Sequence, residues 1–344
     1  MPVHLDAQPL VVAEIGGNHG GDPNRAAELC RMASKAGARA VKFQAYKTDL
    51  FLHPETVYYQ DLAREELPFE ALSSLIALSH DLGLTVGLTV FGPEGLELAE
   101  MTGADYLKIS SGDLTYYSLI KQAALLPLPL VMSTGASLEE EITAAASLVP
   151  PPNPILLQCT SLYPAPEASL NLAVLSRWLE MGLSAGLSDH SLDITPSMAA
   201  MEMGSIMVEK HFTSSRKWPG GDNSMSILPE ELRVLACFAK RCSAFRPSDF
   251  SLVLLKNQPL PACWGSPVKQ IQPGEDPALI RRWAVAARNL SRGRSLSPDD
   301  IVYLRVPPGP APLLAANVSV DSFEVRNPVP KGRPVALADL VSLG

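Results

Sequence analysis

Residues 10–46, LVVAEIGGNHGGDPNRAAELCRMASKAGARAVKFQAY, decide the fold class. They open on a short apolar run, LVVAEIG, and pass through a glycine-rich turn. The next segment places Ala26, Leu29, Cys30 and Ala33 on one face of a helix. Asp22-Pro23 stands where a helix start is favoured and Gly37 where a left-handed stop is, so the helix is predicted between them. A second short run, AVKFQAY, follows from Ala40. Strand, helix and strand in so short a span form a parallel crossover unit.

The unit repeats along the chain. Runs of the same kind are TVGLTVF from Thr85, YLKIS from Tyr106, LPLVMST from Leu128, ILLQCTS from Ile155, SAGLSDH from Ser184 and SIMVEKHF from Ser205, with helical spacing between them. SLEEEITAAASLV sets Ser137 ahead of three glutamates, the charge that suits a helix N-terminus. Eight strands alternating with helices, and no G-x-G-x-x-G loop after the first, predict an α/β fold. It is a closed (β/α)8 TIM barrel over residues 1–250 rather than an open doubly wound sheet.

From about Ser251 the alternation fails. NQPLPACWGSPVKQIQPGEDP is rich in Pro and Gly without periodicity and reads as a linker over 251–280. Residues 281–344 carry eight Arg and one Lys against four Asp and one Glu, a net of +4 in a chain of −8. A basic appendage therefore follows an acidic body. Its short apolar runs predict a compact, mostly β module. AVAARNLSRGRSLSPDDIVYLRV and PVPKGRPVALADLV each set a basic-Gly turn ahead of an apolar-Asp segment.

The chain has 344 residues, 47% hydrophobic and 19% charged, which is enough apolar material for a large core. Its net charge of −8 gives no footprint for nucleic acid, and no apolar run approaches the ~18 residues that span a bilayer. The start, MPVHLDAQPL, lacks the basic and then long apolar pattern of a signal peptide, so a cytoplasmic protein is expected. Five cysteines with no C-x-x-C spacing suggest neither a disulfide framework nor a zinc knuckle.

Polar residues gather at the C-terminal ends of the runs, where barrel enzymes build their sites. They include Lys42 and Gln44, Thr89, Lys108 and Ser111, Ser133, Ser161 and Tyr163, Ser188 and His190, and Glu209 and His211. Side chains two apart share a strand face, and neighbouring strands lie ~4.8 Å apart, so His190 and His211 can reach one metal ion. Two hydrogen-bonded core histidines fit the same spacing. An open two-histidine site would suit Lewis-acid chemistry. An inward lysine is paired with acid, a Schiff-base nucleophile, or a binder of phosphate or carboxylate, and the nearby hydroxyls favour the last. Ser188-Asp189-His190 is not a catalytic triad, because consecutive strand residues face opposite sides.

AEIGGNHGGD, VKFQ, KISSGD, MSTGAS, QCTSLYP, GLSDHS and VEKHFT followed by PGGDNSMS resemble, in order, the strand-end motifs of the sialic acid synthase family. That family makes N-acetylneuraminate and related nonulosonic acids. The likeness runs through residues 10–240, and RRWAVAARNLSRGRSLSPDDI is similar to the family's small antifreeze-like (SAF) domain. The resemblance implies condensation of phosphoenolpyruvate with an N-acetylated mannose-type amino sugar, a divalent metal such as Mn2+ or Mg2+, and a domain-swapped homodimer. It implies His190 and His211 as metal ligands and Lys42, Lys108, Ser111, Ser133 and Ser188 around phosphoenolpyruvate. Gln44 and Tyr163 would lie at the sugar, with Glu14 and Glu209 as proton-handling or sugar-binding carboxylates. Thr89 and Ser161 join the substrate-binding set, and Arg281 or Arg282 is expected to reach the sugar from the partner's tail. Two positions depart from the family pattern: Asn223 follows Asp222 where a histidine is usual, and Trp283 follows the arginines where a small residue is usual. A Schiff-base aldolase using Lys42 or Lys108 and a lapsed sugar-binding protein are the competing readings. The insert from Lys47 to Pro68 is expected to choose the sugar.

Overall fold

The computed structural model describes residues 8–242, 262–309 and 311–343. Eight parallel strands close on themselves in chain order: β1 (Leu10–Glu14), β2 (Ala40–Ala45), β3 (Thr85–Val90), β4 (Tyr106–Ile109), β5 (Leu130–Ser133), β6 (Ile155–Cys159), β7 (Ala185–Ser188) and β8 (Met207–His211), which pairs back with β1. Each strand starts within two residues of the run that predicts it. Helices fill the crossovers: α1 (Pro23–Ala36) after β1, then α2 (Thr48–Phe51), α3 (Tyr59–Glu65) and α4 (Phe69–Asp81) after β2. One α-helix follows each later strand: α5 (Pro93–Thr102), α6 (Tyr117–Ala123), α7 (Glu139–Ala146), α8 (Leu172–Glu180), α9 (Thr195–Glu202) and α10 (Pro229–Cys242).

The strands form a barrel because they are apolar on both faces. Outward residues such as Val41, Phe43, Leu88, Leu107 and Leu187 pack under the helices in the main core. The inward set Leu10, Val12, Ala40, Tyr106, Val131, Ile155, Leu157 and Met207 plugs the lower half of the barrel. Gly87 is the register partner of Tyr106, and a side chain at 87 would run into the Tyr106 ring, so the glycine makes room for the largest member of the plug. Helix ends follow the capping chemistry at α1, where the Asp22 side chain accepts the Asn24 amide at 2.9 Å and Gly37 closes the helix at φ 92°. At α7 the start falls two residues later than Ser137. Glu141 accepts the Leu138 amide, and Ser137 Oγ turns back to the Gly135 carbonyl.

The small C-terminal unit has two antiparallel pairs, β9 (Trp283–Ala286) with β10 (Ile301–Leu304), and β11 (Phe323–Val325) with β12 (Leu340–Ser342). They share a core of Ala284, Leu290, Leu296, Val325, Val335 and Leu340. The two similar stretches of sequence occupy equivalent places. Gly293 and Gly332 turn at φ 79° and 80°, and a 3-10 turn ending in Asp300 or Asp339 leads into β10 or β12.

The segment read as a linker differs from that expectation. Residues 251–261 lie outside the described residues, but 262–280 pack on the barrel. Cys263 is in the barrel's core, and the carbonyls of Cys263 and Trp264 accept the first amides of α8, at Leu172 and Ala173. Lys269 is buried, donating to Gln158 Oε1 and the Cys159 carbonyl. A short helix, α11 (Pro277–Ile280), then leads into β9. Lack of periodicity misled because this stretch satisfies its polar groups against other elements instead of within a helix or strand. Among the described residues no helix is long and apolar enough to cross a membrane.

Candidate active site

The parallel register lines up the polar ends of the strands on one rim. Glu14 is the partner of Lys42 and of His211, Thr89 of Lys108, and Ser188 of Cys159 and Glu209. Several of these positions lie two residues beyond a plug residue, as Glu14 follows Val12, Lys42 follows Ala40 and Lys108 follows Tyr106.

Two ammoniums and two carboxylates, all buried, make the floor of this mouth. Lys42 contacts the Glu14 carboxylate, donates to Thr89 Oγ1 at 2.6 Å, and stands 3.9 Å from Glu209 Oε1. Lys108 Nζ lies 3.0 Å from both oxygens of Glu209. Ser188 donates to Glu209 Oε1 at 3.2 Å, and Gln44 Nε2 to Glu14 Oε1 at 3.4 Å. Burial works against the Lys42 cation, but Glu14 and Glu209 outweigh it and raise its pKa. At Lys108 burial wins over Glu209, and Lys42 adds repulsion, so the pKa falls. Burial alone would raise Glu209, yet Lys108 and Lys42 hold it at about 2. The lysines favour the ionised form of Glu209, the carboxylates favour the charged form of Lys42, and burial disfavours the charge on Lys108.

The histidines stand beside this floor. His190 Nδ1 is 2.8 Å from the Thr160 carbonyl, which requires a proton on that nitrogen and leaves Nε2 as the one that could hold an ion. Its ring lies 5.5 Å from that of His211, and Tyr163 stacks against it at 4.2 Å. Burial lowers the pKa of His211 despite Asp222 and Glu14. Burial would also lower His190, but Cys159, whose Sγ is 3.9 Å from Nδ1, brings it up to about 9, so an ion at Nε2 would take the place of a proton there. His211 Nδ1 is buried, lacks a hydrogen-bond partner among the described residues, and lies 3.3 Å from Asp222 Oδ2. Two imidazoles with unspent nitrogens fit a divalent ion held in open coordination. Among the described residues no group of three or more His, Cys, Asp or Glu is placed to hold one, so water or substrate oxygens would complete the shell.

Hydroxyls line the β4 to β6 side. Gly135 N donates to Ser111 Oγ at 3.0 Å, and that hydroxyl is 3.5 Å from Cys159 Sγ. The hydroxyls of Ser133 and Ser161 are buried and have no partner among the described residues. An unpaired buried hydroxyl is costly, so these two mark where a polar ligand's oxygens would be received.

The tail arginines are placed elsewhere than expected. Arg281 donates to the Ala136 carbonyl at 2.9 Å and to Glu141 Oε2 at 2.8 Å. Arg282 is fully buried against Asp113 at 2.6 Å and also donates to the carbonyls of Phe51, Phe91 and Tyr303. Its donors are spent on the barrel and, at Tyr303, on the tail's own β10, so Arg282 is structural. Asn223 is buried and bonded to Thr213 and the Gly220 carbonyl, bracing the turn that carries Asp222. Trp283 donates to the Ala278 carbonyl at 3.1 Å, away from the rim.

Several contributors escape a reading of the sequence. Asp222 reaches His211 from the loop after β8, and the acid closing the PGGD turn was its one signal. Arg305 comes from the tail. Its guanidinium sits 4.5 Å over Phe51 and close to Gly112, and its Nε lacks a partner among the described residues; burial lowers its pKa to about 10. From α3, Glu65 accepts the Gly221 amide at 2.6 Å and fills the space beside Gly17, so the insert after β2 does reach the mouth. Burial raises Glu65 to about 7 against that hydrogen bond, with Asp222 and Asp61 adding to the rise.

A family model described as the NeuB family matches residues 29–245. The N,N'-diacetyllegionaminic acid synthase of Legionella pneumophila is 32% identical over 90% of this chain and 88% of its own. The human N-acetylneuraminate-9-phosphate synthase is 26% identical over 97% and 90%. Among solved structures, the spore coat polysaccharide biosynthesis protein SpsE of Bacillus subtilis superposes with a TM-score of 0.81 at 25% identity, covering 97% of this chain and 95% of that one.

Proposed function

The chain belongs to the NeuB family, and from that premise we propose that it is a nonulosonic acid synthase. It condenses phosphoenolpyruvate with an N-acetylmannosamine-type amino sugar and releases phosphate by C–O cleavage. The observation that carries this reading is the pairing of two buried lysines with the unpartnered hydroxyls of Ser133 and Ser161 in one mouth. A substrate bearing a phosphate and a carboxylate needs cations and hydroxyl donors together. The relatives named as synthases of N,N'-diacetyllegionaminic acid and N-acetylneuraminate 9-phosphate support the product class.

In this reading Lys42 and Lys108, with Ser111, Ser133, Ser161 and Ser188, bind phosphoenolpyruvate, while Gln44, Tyr163 and Glu14 face the sugar. Glu209 stays ionised and holds Lys108 and Ser188 in place. His190 and His211 hold a divalent ion, Mn2+ or Mg2+, which supplies Lewis-acid polarisation of a carbonyl when bound. The enol carbon attacks the open-chain aldehyde, water adds to the resulting cationic carbon, and phosphate departs with the bridging oxygen. We further propose a homodimer in which two copies exchange the small C-terminal unit, a SAF domain.

Phosphoenolpyruvate labelled at the bridging oxygen, incubated with Mn2+ and a panel of N-acetylated amino sugars, tests the proposal. Label in the released phosphate is expected with at least one sugar, and no release with any sugar rejects the synthase. The lowered pKa of Lys108 favours one other chemistry, a Schiff-base aldolase. Borohydride with a keto-sugar acid would then leave an adduct on Lys108, whereas the synthase leaves none.

A further inference from the structure

The segment between barrel and tail enters the phosphate side of the mouth through one side chain. Glu275 is buried and accepts three backbone amides: Ala136 at 2.8 Å and Ser161 at 2.6 Å on Oε1, and Gln272 at 2.7 Å on Oε2. Ala136 follows β5 and Ser161 follows β6, so one carboxylate oxygen ties two strand-end loops together. Arg281 holds the other side of the same residue, donating to the Ala136 carbonyl at 2.9 Å.

That residue needs holding. Ala136 sits at φ 48°, a left-handed conformation that a residue with a Cβ adopts at a cost. Gly135 beside it is the point where the loops converge. A Cβ there would run into Ser161 Oγ and come within 2.9 Å of Ser111 Oγ, and its amide donates to Ser111. Ser133, two residues before Gly135, and Ser161 each carry a buried serine hydroxyl that has no partner among the described residues. The shape of the Gly135–Ala136 turn therefore sets where three hydroxyls stand relative to one another.

We propose that Glu275, assisted by Arg281, is a positioning residue for phosphate recognition: it clamps the loops after β5 and β6 so that Ser111, Ser133 and Ser161 present their hydroxyls together. The inference rests on the reading of this mouth as a phosphoenolpyruvate site. Glu275 does not touch substrate in this role, and its charge is absorbed by the amides it accepts. A glutamine can place its carbonyl oxygen where Oε1 stands and keep both cross-loop bonds, whereas alanine loses them.

The test compares Glu275→Gln, Glu275→Ala and Arg281→Met with wild type. It reads kcat, KM for phosphoenolpyruvate, KM for the sugar, and direct calorimetric binding of phosphoenolpyruvate. The clamp predicts that Glu275→Ala raises KM and weakens binding of phosphoenolpyruvate at least tenfold, with sugar KM within about twofold and Glu275→Gln within about threefold of wild type throughout. If Glu275→Ala does not fold, Arg281→Met carries the same test, with a smaller loss confined to phosphoenolpyruvate. Equal effects on both substrates, or a fall in kcat with both KM values unchanged, reduce Glu275 to a structural residue and overturn the clamp. A wild type that neither binds nor turns over phosphoenolpyruvate removes the reading of the site itself, an outcome distinct from normal wild-type binding with unchanged variants.

Discussion

Lys108 Nζ stands equidistant, at 3.0 Å, from the two carboxylate oxygens of Glu209. Removing one partner from such a buried pair strands the other, at a cost on the order of 3–5 kcal/mol. Glu209→Gln should therefore lose stability and at least about 100-fold in turnover. Adding Lys108→Met should restore most of the stability and none of the activity. Denaturant melts of the two single variants and the double variant check this, and strictly additive losses would refute the pairing.

The two lysines are expected to act as anion binders. Lys42→Met or Lys108→Met should raise KM for phosphoenolpyruvate on the order of 10–100-fold, the worth of a charge-assisted contact of roughly 1.5–3 kcal/mol. The sugar KM should change far less. Steady-state kinetics with each substrate varied in turn decide between this and a general collapse of the site.

Exhaustive chelation should abolish turnover, and Mn2+ or Mg2+ should restore it. His190→Ala and His211→Ala should each be nearly inactive yet melt close to wild type, since strand ends add little to the plugged interior. Ion binding to these variants, followed by calorimetry in the absence of substrate, should be lost. Full activity after chelation would end the metal reading.

Glu65 gives a pH signature in stability. Its folded pKa, about 7, lies above the ordinary 4.5, so the folded state binds the proton more tightly than the unfolded chain does. Between pH 4.5 and 7 stability must fall as pH rises, and the penalty is complete above that window. Glu65→Gln removes the titration and should gain on wild type in denaturant melts between pH 5 and pH 8. A gap between the two proteins that does not change with pH would place Glu65 in water.

The contacts that join tail to barrel, led by Arg282 with Asp113, can be made equally within one chain or between two copies that exchange tails. Mixing His211→Ala with Arg282→Ala under subunit exchange tells the two apart. Exchanged tails give heterodimers with one intact site, about a quarter of wild-type activity at random assortment, an expectation from two-fold symmetry. No recovery means that each tail serves its own barrel.

What the sequence showed follows from the range of the forces involved. Strand alternation is local, so it is enough to put Lys42, Lys108, Glu209 and both histidines at the strand ends, whereas Glu14 is legible only through the family resemblance. Glu275 contacts residues 114 and 139 positions away, and nothing in the spacing of QIQPGEDP announces it. Arg282 failed for the opposite reason. A basic pair ahead of a strand looks like a ligand's counter-charge, and only the location of Asp113, 169 residues earlier, shows that this charge is already met. Composition can count arginines, but it cannot say which of them are taken.

Gly87 and Tyr106, facing each other across β3 and β4, occupy what is in effect a single volume. Because the plug is packed on all sides, the two positions are free to vary only in opposite directions: a methyl gained at 87 must be given back at 106. Among relatives of this chain the pair should covary in size, with alanine or larger at the first position accompanied by leucine or smaller at the second. That correlation can be read from sequences alone, in the plug that lies beneath the ionised floor of the mouth.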